Sequence, residues 1–183
     1  MQEINFSEKF NEEFKKARKS IKKPNILVLG GTGAGKSSLI NLVFGKELAT
    51  VGAGKPVTSG IHSYENELIQ VLINIFNNSI DVLIQMQKAE ERYIFIDVKE
   101  DANTITINIS DSGNGAKDEV IKRIFEPYFT TKDRKSGTGI GLYMCNEIIE
   151  KHMKGTIKAK NNDKFFNDKK YHGLEFEIRI PSN

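Results

Sequence analysis

Two groups of residues in this 183-residue chain have the types and spacings needed for phosphate chemistry. The first is Gly30-Gly31-Thr32-Gly33-Ala34-Gly35-Lys36-Ser37, a match to G-x-x-x-x-G-K-[ST]. Glycines let a backbone wrap closely around phosphates, and the N–H groups at a helix start face the anion. In such a loop Lys36 reaches the outer phosphates and Ser37 holds Mg²⁺. The second group is more dispersed. Asn74 and Asn78 stand four residues apart and Asp81 three further on, a polar stripe on an otherwise apolar helix pattern. Amides buried among aliphatics cost about 1–3 kcal/mol each unless they are bonded. The stripe is therefore either the wet edge of a helix or a surface for a metal and phosphates. Asp111-Ser112-Gly113-Asn114-Gly115 follows as a D-x-G-x-G turn, then Ile124-Phe125-Glu126-Pro127-Tyr128-Phe129-Thr130-Thr131-Lys132, then Gly137-Thr138-Gly139-Ile140-Gly141-Leu142. Each piece alone is a weak signal. The ordered set is specific.

Regular elements must hold these residues in place. Phe6, Phe10 and Phe14 recur at i+4 and predict an amphipathic helix over 5–21, its apolar stripe packed within the chain. The run NILVL at 25–29 reads as a strand buried on both faces, followed by a helix from Ser37 to Phe44. Residues 50–60, rich in Gly, Thr and Pro, read as loop. The texture changes near Tyr64. Residues 65–88 predict a long helix, and 93–99 and 104–110 alternate as a β-hairpin. Residues 112–137 are irregular, 138–153 helical, and 155–160 and 173–180 strands. The fold class expected is α+β: a two-layer sandwich of a mixed sheet and about three helices, with an N-terminal helix and a strand–loop–helix appended. The division expected is 1–64 and 65–183.

Composition narrows the function classes. Apolar residues at 38% and charged residues at 28% are ordinary for a globular chain and exclude a disordered one. No apolar run approaches the ~20 residues of a membrane helix, and the polar, acidic N-terminus is not a secretory signal. Cys145 is the single cysteine, so no intrachain disulfide forms, and a reducing cytoplasmic location fits best. The net charge of +3 is uneven: residues 1–63 carry 10 Lys and Arg against 5 Asp and Glu. A solvated lysine-rich helix accounts for that excess, so no nucleic-acid partner is expected.

Two resemblances follow from these motifs. GGTGAGKSSLINLVFG with GKPVTSGI resembles the start of translation-factor-type P-loop GTPases, the Era-like and dynamin-like groups included. There, Thr58 matches the switch threonine that completes the Mg²⁺ shell, beside Gly30, Gly35, Lys36 and Ser37 in the loop. This likeness covers about 20–64 and stops. No D-x-x-G or N-K-x-D loop follows in a suitable place, and Asn161-Asn162-Asp163-Lys164 only scrambles the latter. The second likeness spans about 65–183. ELIQVLINIFNNSIDVL, DSGNG, FEPYFTTK and GTGIGL resemble the asparagine, glycine and phenylalanine boxes of the ATP-binding catalytic domain of sensor histidine kinases, within the GHKL (Bergerat-fold) ATPases.

That resemblance implies roles. Asn78 matches the asparagine that coordinates the Mg²⁺ bridging the ATP phosphates, and Asn74 the polar residue one turn earlier. Asp111 matches the aspartate that accepts a hydrogen bond from the adenine amino group. Gly113 and Gly115 match glycines that allow close approach to the base and lid, with about 116–136 as the lid. Gly137, Gly139 and Gly141 match the phosphate-binding glycines at a helix start, and Lys132 a cation offered to the phosphates. Two departures stand out. Leu174 follows Gly173 where the family often has Thr or Ser, so one adenine-side hydrogen bond is expected to be missing. Position 74 is Asn rather than the Glu with which gyrase and Hsp90 activate water, which points to phosphoryl transfer or bare binding over fast hydrolysis. His62, His152 and His172 do not sit on a helical hairpin of the phosphoacceptor kind, so the acceptor, on a dimerisation domain, is expected in trans. The function expected is Mg²⁺-dependent ATP binding with transfer to that histidine. The alternatives are a P-loop NTPase using Lys36, and an engineered chimera or scaffold without nucleotide activity, joined near Ser63 to Glu65. In either case strand 25–29 needs a partner, and the open edge of the ATP-domain sheet offers one.

Overall fold

The computed structural model describes residues 24–29, 36–44, 65–132 and 137–182. The helix expected over 5–21, residues 30–35 of the glycine loop, and Thr58 lie outside them. In chain order the elements are β1 (Asn25–Leu29), α1 (Lys36–Phe44), α2 (Glu65–Leu83), β2 (Tyr93–Asp101), β3 (Thr104–Asp111), α3 (Asp118–Arg123), α4 (Gly141–Glu147), β4 (Thr156–Phe166) and β5 (Lys169–Pro181). They form a mixed α/β sandwich with a five-stranded sheet in the order β1-β2-β3-β5-β4.

Helix α2 is held by one face. Leu68, Val71, Leu72, Ile75, Phe76 and Leu83 are buried, at the i, i+3, i+4, i+7 spacing of an amphipathic helix. They meet the alternate strand positions Ile94, Ile96 and Val98, then Ile105, Ile107 and Ile109, then Phe176, Ile178 and Ile180. Cys145, Ile148, Ile149 and Met153, from α4 and the π-helical turn Ile148–His152, complete this core. Each such side chain contributes roughly 1.5–3 kcal/mol by leaving water. The expected helix of 65–88 ends sooner, at Leu83. Gln85 and Met86 donate to the carbonyls of Val82 and Leu83 three residues back, tightening the last turn. The buried Arg92 guanidinium then takes the carbonyls of Ile84 and Met86.

The strand at 25–29 does find the sheet edge. Asn25–Leu29 pairs in parallel with Tyr93–Asp97, and Val28 packs against the core while Leu39 of α1 is buried within it. Parallel neighbours need a long crossover, and this one contains α1 and α2.

The last hairpin is longer than the strands expected at 155–160 and 173–180. β4 runs to Phe166 and β5 starts at Lys169. Asn167 and Asp168 both hold positive φ, 48° and 58°, the two-residue turn whose twist suits a hairpin. The polar run NNDKFFNDKK hides this extension in the sequence. Its tip overhangs β3, and Phe166 and Tyr171 pack on Tyr93 with ring centroids 5.6 and 5.1 Å away. Phe95, on the sheet face away from the helices, is only 2% exposed as a result. No helix among the described residues is long and apolar enough to cross a membrane.

Candidate nucleotide site

A cleft of about 340 Å³ opens between α2, the end of β3 and the segments 115–132 and 137–142. Its size falls within the roughly 300–1,000 Å³ of small-ligand sites. Asn74, Asn78, Asp111, Gly115, Lys132, Gly137, Gly139 and Gly141 all line it. Most of the dispersed constellation is therefore brought together in one place, Asp81 and Gly113 standing outside the lining.

Asp111 closes β3 and is 4% exposed. Its Oδ1 accepts the Gly113 N–H at 2.9 Å and the Leu174 N–H at 3.3 Å, and its Oδ2 accepts the Ser79 hydroxyl at 3.5 Å. Burial pushes the carboxyl above the usual aspartate range, and the three donors pull partly the other way. The close approach of β5 makes this possible. A Cβ on Gly173 would collide with the Asp111 backbone carbonyl, so only glycine lets Leu174 present its N–H here. Leu174 has no side-chain hydrogen bond to offer, but its side chain lines the cleft. Ser112 anchors the same turn to β2: its hydroxyl donates to the Glu91 carbonyl at 2.7 Å and accepts the Tyr93 N–H at 2.9 Å.

One helical turn apart, Asn74 and Asn78 face different partners. Asn74 Nδ2 donates to the Gly141 carbonyl at 3.4 Å, and its Oδ1 accepts from Gln70 at 3.3 Å. Asn78 Oδ1 and Asp81 Oδ2 converge on the Lys132 ammonium at 3.0 and 2.6 Å. Two oxygens already aimed at a single cation are a donor set fit for a divalent ion. Mg²⁺ needs few protein ligands when phosphate oxygens supply the rest. Among the described residues no group of three or more His, Cys, Asp or Glu side chains is placed to hold a metal ion.

Apolar side chains form the rest of the lining: Val82, Val120, Ile124, Phe129, Leu142 and Phe176. The short helix α3 lies in the stretch read from sequence as irregular. It follows on to Phe125, which meets Phe176 edge-on at 6.3 Å, while Arg123 stands 4.5 Å above the Phe129 ring. Val120 and Phe176 carried no sequence signal beyond hydrophobicity, whereas Val82, Ile124, Phe125, Phe129 and Leu142 lie within the motifs quoted above. Ser79 lies within the asparagine-box stretch and Gly173 just before Leu174, but the sequence did not mark either as a neighbour of Asp111.

Gly113 is placed differently from the expectation. It does not line the cleft; it sits behind Asp111, where a Cβ would strike Val82 of α2. The other glycine motif stays apart. Lys36 and Ser37 open α1 and are not among the residues lining the cleft. Gly30, Gly35 and Thr58 lie outside the described residues, as does His62. His152 pairs with Glu67 at 2.8 Å and His172 with Asp163 at 2.7 Å, both in exposed positions.

Comparison with known proteins agrees with this geometry. The family model of histidine kinase-, DNA gyrase B- and HSP90-like ATPases matches residues 63–183. The chain is 36% identical over 122 residues to sporulation kinase E of Bacillus subtilis, covering 66% of this chain and 14% of that protein. It is 35% identical over 96 residues to the sensor protein FixL of Bradyrhizobium diazoefficiens, covering 52% of this chain and 18% of the relative. The chain thus spans less than a fifth of the length of these two curated relatives. The nucleotide-free catalytic domain of the histidine kinase ThkA superposes with a TM-score of 0.58 at 22% identity, over 99% of this chain and 95% of that one, a likeness of fold. The chain belongs to the histidine kinase-, gyrase B- and HSP90-like ATPases, and it carries an ATP-binding catalytic domain of the histidine-kinase type.

Proposed function

We propose that the cleft binds ATP with Mg²⁺ and presents the terminal phosphate to a histidine on another domain or chain. The observation that carries this assignment is the meeting, in one cleft, of a buried and hydrogen-bonded carboxylate with an amide and the lysine ammonium it holds, a lysine that also pairs with Asp81. Asp111 accepts a hydrogen bond from the exocyclic amino group of adenine. The same carboxylate repels the carbonyl that guanine carries at that position. Leu174, Ile124, Phe129 and Leu142 supply the apolar walls against which a purine packs. Gly137, Gly139 and Gly141 let the backbone approach the phosphates.

At the other end Asn78 offers its oxygen to the metal, and Lys132 exchanges Asp81 and Asn78 for phosphate oxygens. When bound there, Mg²⁺ would neutralise phosphate charge. Asn74 is an amide engaged with Gln70 and the Gly141 carbonyl, and it has no basic form at neutral pH. It does not deprotonate water, so hydrolysis is slow and transfer awaits an acceptor. Positioning and charge neutralisation are then the whole contribution of these residues. A cytoplasmic location, where ATP is available, goes with this role, and a response regulator would be the next acceptor. The β1–α1 segment serves as an edge strand and its cover, and Lys36 takes no part.

Calorimetric titration with ATP and with GTP, each with Mg²⁺, tests the assignment. ATP is expected to bind and GTP not. Binding of GTP alone, or of neither nucleotide, overturns it.

A further inference from the structure

The turn from Asp111 to Ala116 is gripped at both ends by a single cross-strand pair of the β4–β5 hairpin. Asn161 and Leu174 stand opposite each other in the register. Leu174 donates its N–H to Asp111 Oδ1 at the start of the turn. Asn161 grips the far end. Its Oδ1 accepts the Ala116 N–H at 2.8 Å, and its Nδ2 donates to the Ala116 carbonyl at 2.7 Å. An amide side chain here satisfies both backbone groups of one residue, as a neighbouring strand would. Between them the Asn114 N–H donates to the His172 carbonyl at 3.0 Å.

Gly115 completes the fit. Its φ is +71°, and a Cβ there would collide with the Asn161 Oδ1 and come within 3.1 Å of His172 Nε2. Glycine at 115 thus serves the approach of Asn161 as well as the lining of the cleft. Ala116 also lines the cleft, and α3 begins only two residues later. The position of Ala116 therefore fixes both the wall of the cleft and the point where the segment 117–132 leaves the sheet.

We propose that Asn161 is a positioning residue that anchors the near end of the nucleotide lid at Ala116, so that lid movement begins beyond this residue and the Asp111–Gly115 turn keeps its shape when the lid opens. This rests on the cleft being a nucleotide site. Asn161 touches neither purine nor phosphate in that scheme; it acts through Ala116.

The test has two arms. In nucleotide-free protein, backbone amide exchange at 115–117 is measured for the unchanged chain, Asn161→Ala, Asn161→Asp and Asn162→Ala. Asn161→Asp keeps the volume but sets an oxygen against the Ala116 carbonyl. Asn162→Ala removes the neighbouring amide's hydrogen bond, 2.7 Å to the Glu175 carboxylate, on the opposite face of the sheet. Both changes at 161 are expected to raise exchange at Ala116 by about tenfold or more, and Asn162→Ala to leave it unchanged. In the second arm, Asn161→Ala is expected to weaken Mg²⁺-ATP binding by roughly tenfold with a melting temperature no lower than that of Asn162→Ala. Unchanged exchange at Ala116 overturns the anchor whatever the nucleotide result. Raised exchange with ATP affinity within about twofold of the unchanged chain overturns the positioning role. Should the unchanged chain bind no ATP, the nucleotide assignment fails, and the exchange arm still decides whether Asn161 holds the lid.

Discussion

At its buried end the cleft presents Asp111, 4% exposed and fixed by three donors from α2, the turn and β5. At its other end it presents Lys132, which pairs with Asp81 of α2 outside the lining, their side chains 33% and 47% exposed. The same kind of group, a carboxylate, thus does two kinds of work. Buried and bonded, it is directional and hardly screened, and it can tell one base from another. Half-exposed and paired, it is worth about 0–1 kcal/mol, and water and salt exchange with it freely. In the proposed scheme, selection of the base belongs to the folded sheet, and handling of the phosphates belongs to pairs weak enough to swap partners.

The largest effect is expected at the buried end. Asp111→Ala removes a charged acceptor and strands the Gly113 and Leu174 N–H groups, each change costing about 1–3 kcal/mol. ATP and adenosine affinity should both fall roughly a hundredfold, as calorimetry would record. Asn78→Ala comes next. ATP binding should lose most of its dependence on Mg²⁺ while adenosine binding stays as it was. Equal losses for the two ligands would erase the distinction between the ends. Lys132→Ala is smaller, roughly fivefold for ATP and nothing for adenosine. ATP affinity should also decline with salt, with a shallower slope in this variant. A salt-dependent adenosine affinity would contradict the division.

The smallest effect is on stability, and its sign is informative. Burial raises the Asp111 carboxyl, so the folded protein binds this proton more tightly than the unfolded chain does. Ionised Asp111 therefore costs stability above its raised value. That cost fades as pH falls through the raised value toward the ordinary aspartate one. Asp111→Asn keeps an acceptor without the charge. It should melt no lower than the unchanged chain at neutral pH, and its relative advantage should shrink on acidification. A lower melting temperature for Asp111→Asn at neutral pH would mean that the charge stabilises the fold.

How much of this was legible in the sequence follows the same division. The α2 stripe and the β2–β3 hairpin are written in local periods of 3.6 and 2; the hairpin emerges nearly at its observed bounds, whereas the helix starts at Glu65 as expected and stops sooner, at Leu83. The partner of NILVL could be inferred as well, because an apolar strand must pair and one sheet edge was open. The β4–β5 overhang was not legible. Its residues are polar, and what holds them is a cluster of rings from β2, seventy residues away in the chain. The same holds for Asn161, which reaches Ala116 across 45 residues, and for Gly173, whose missing side chain is explained only by the Asp111 backbone. Lys132 could be placed near the phosphates by resemblance. Its grip on Asp81 could not, because no sequence pattern links a lid residue to one helix position.

The central claim is that the Asp111 carboxylate reads the purine. Its most direct test is the ratio of ATP to GTP affinity, with Mg²⁺, in the unchanged chain and in Asp111→Asn. An asparagine amide can donate to guanine's carbonyl where the carboxylate cannot. The ratio is expected to strongly favour ATP in the unchanged chain and to collapse by about tenfold or more in the variant. A ratio that stays the same when the carboxylate becomes an amide would contradict the claim.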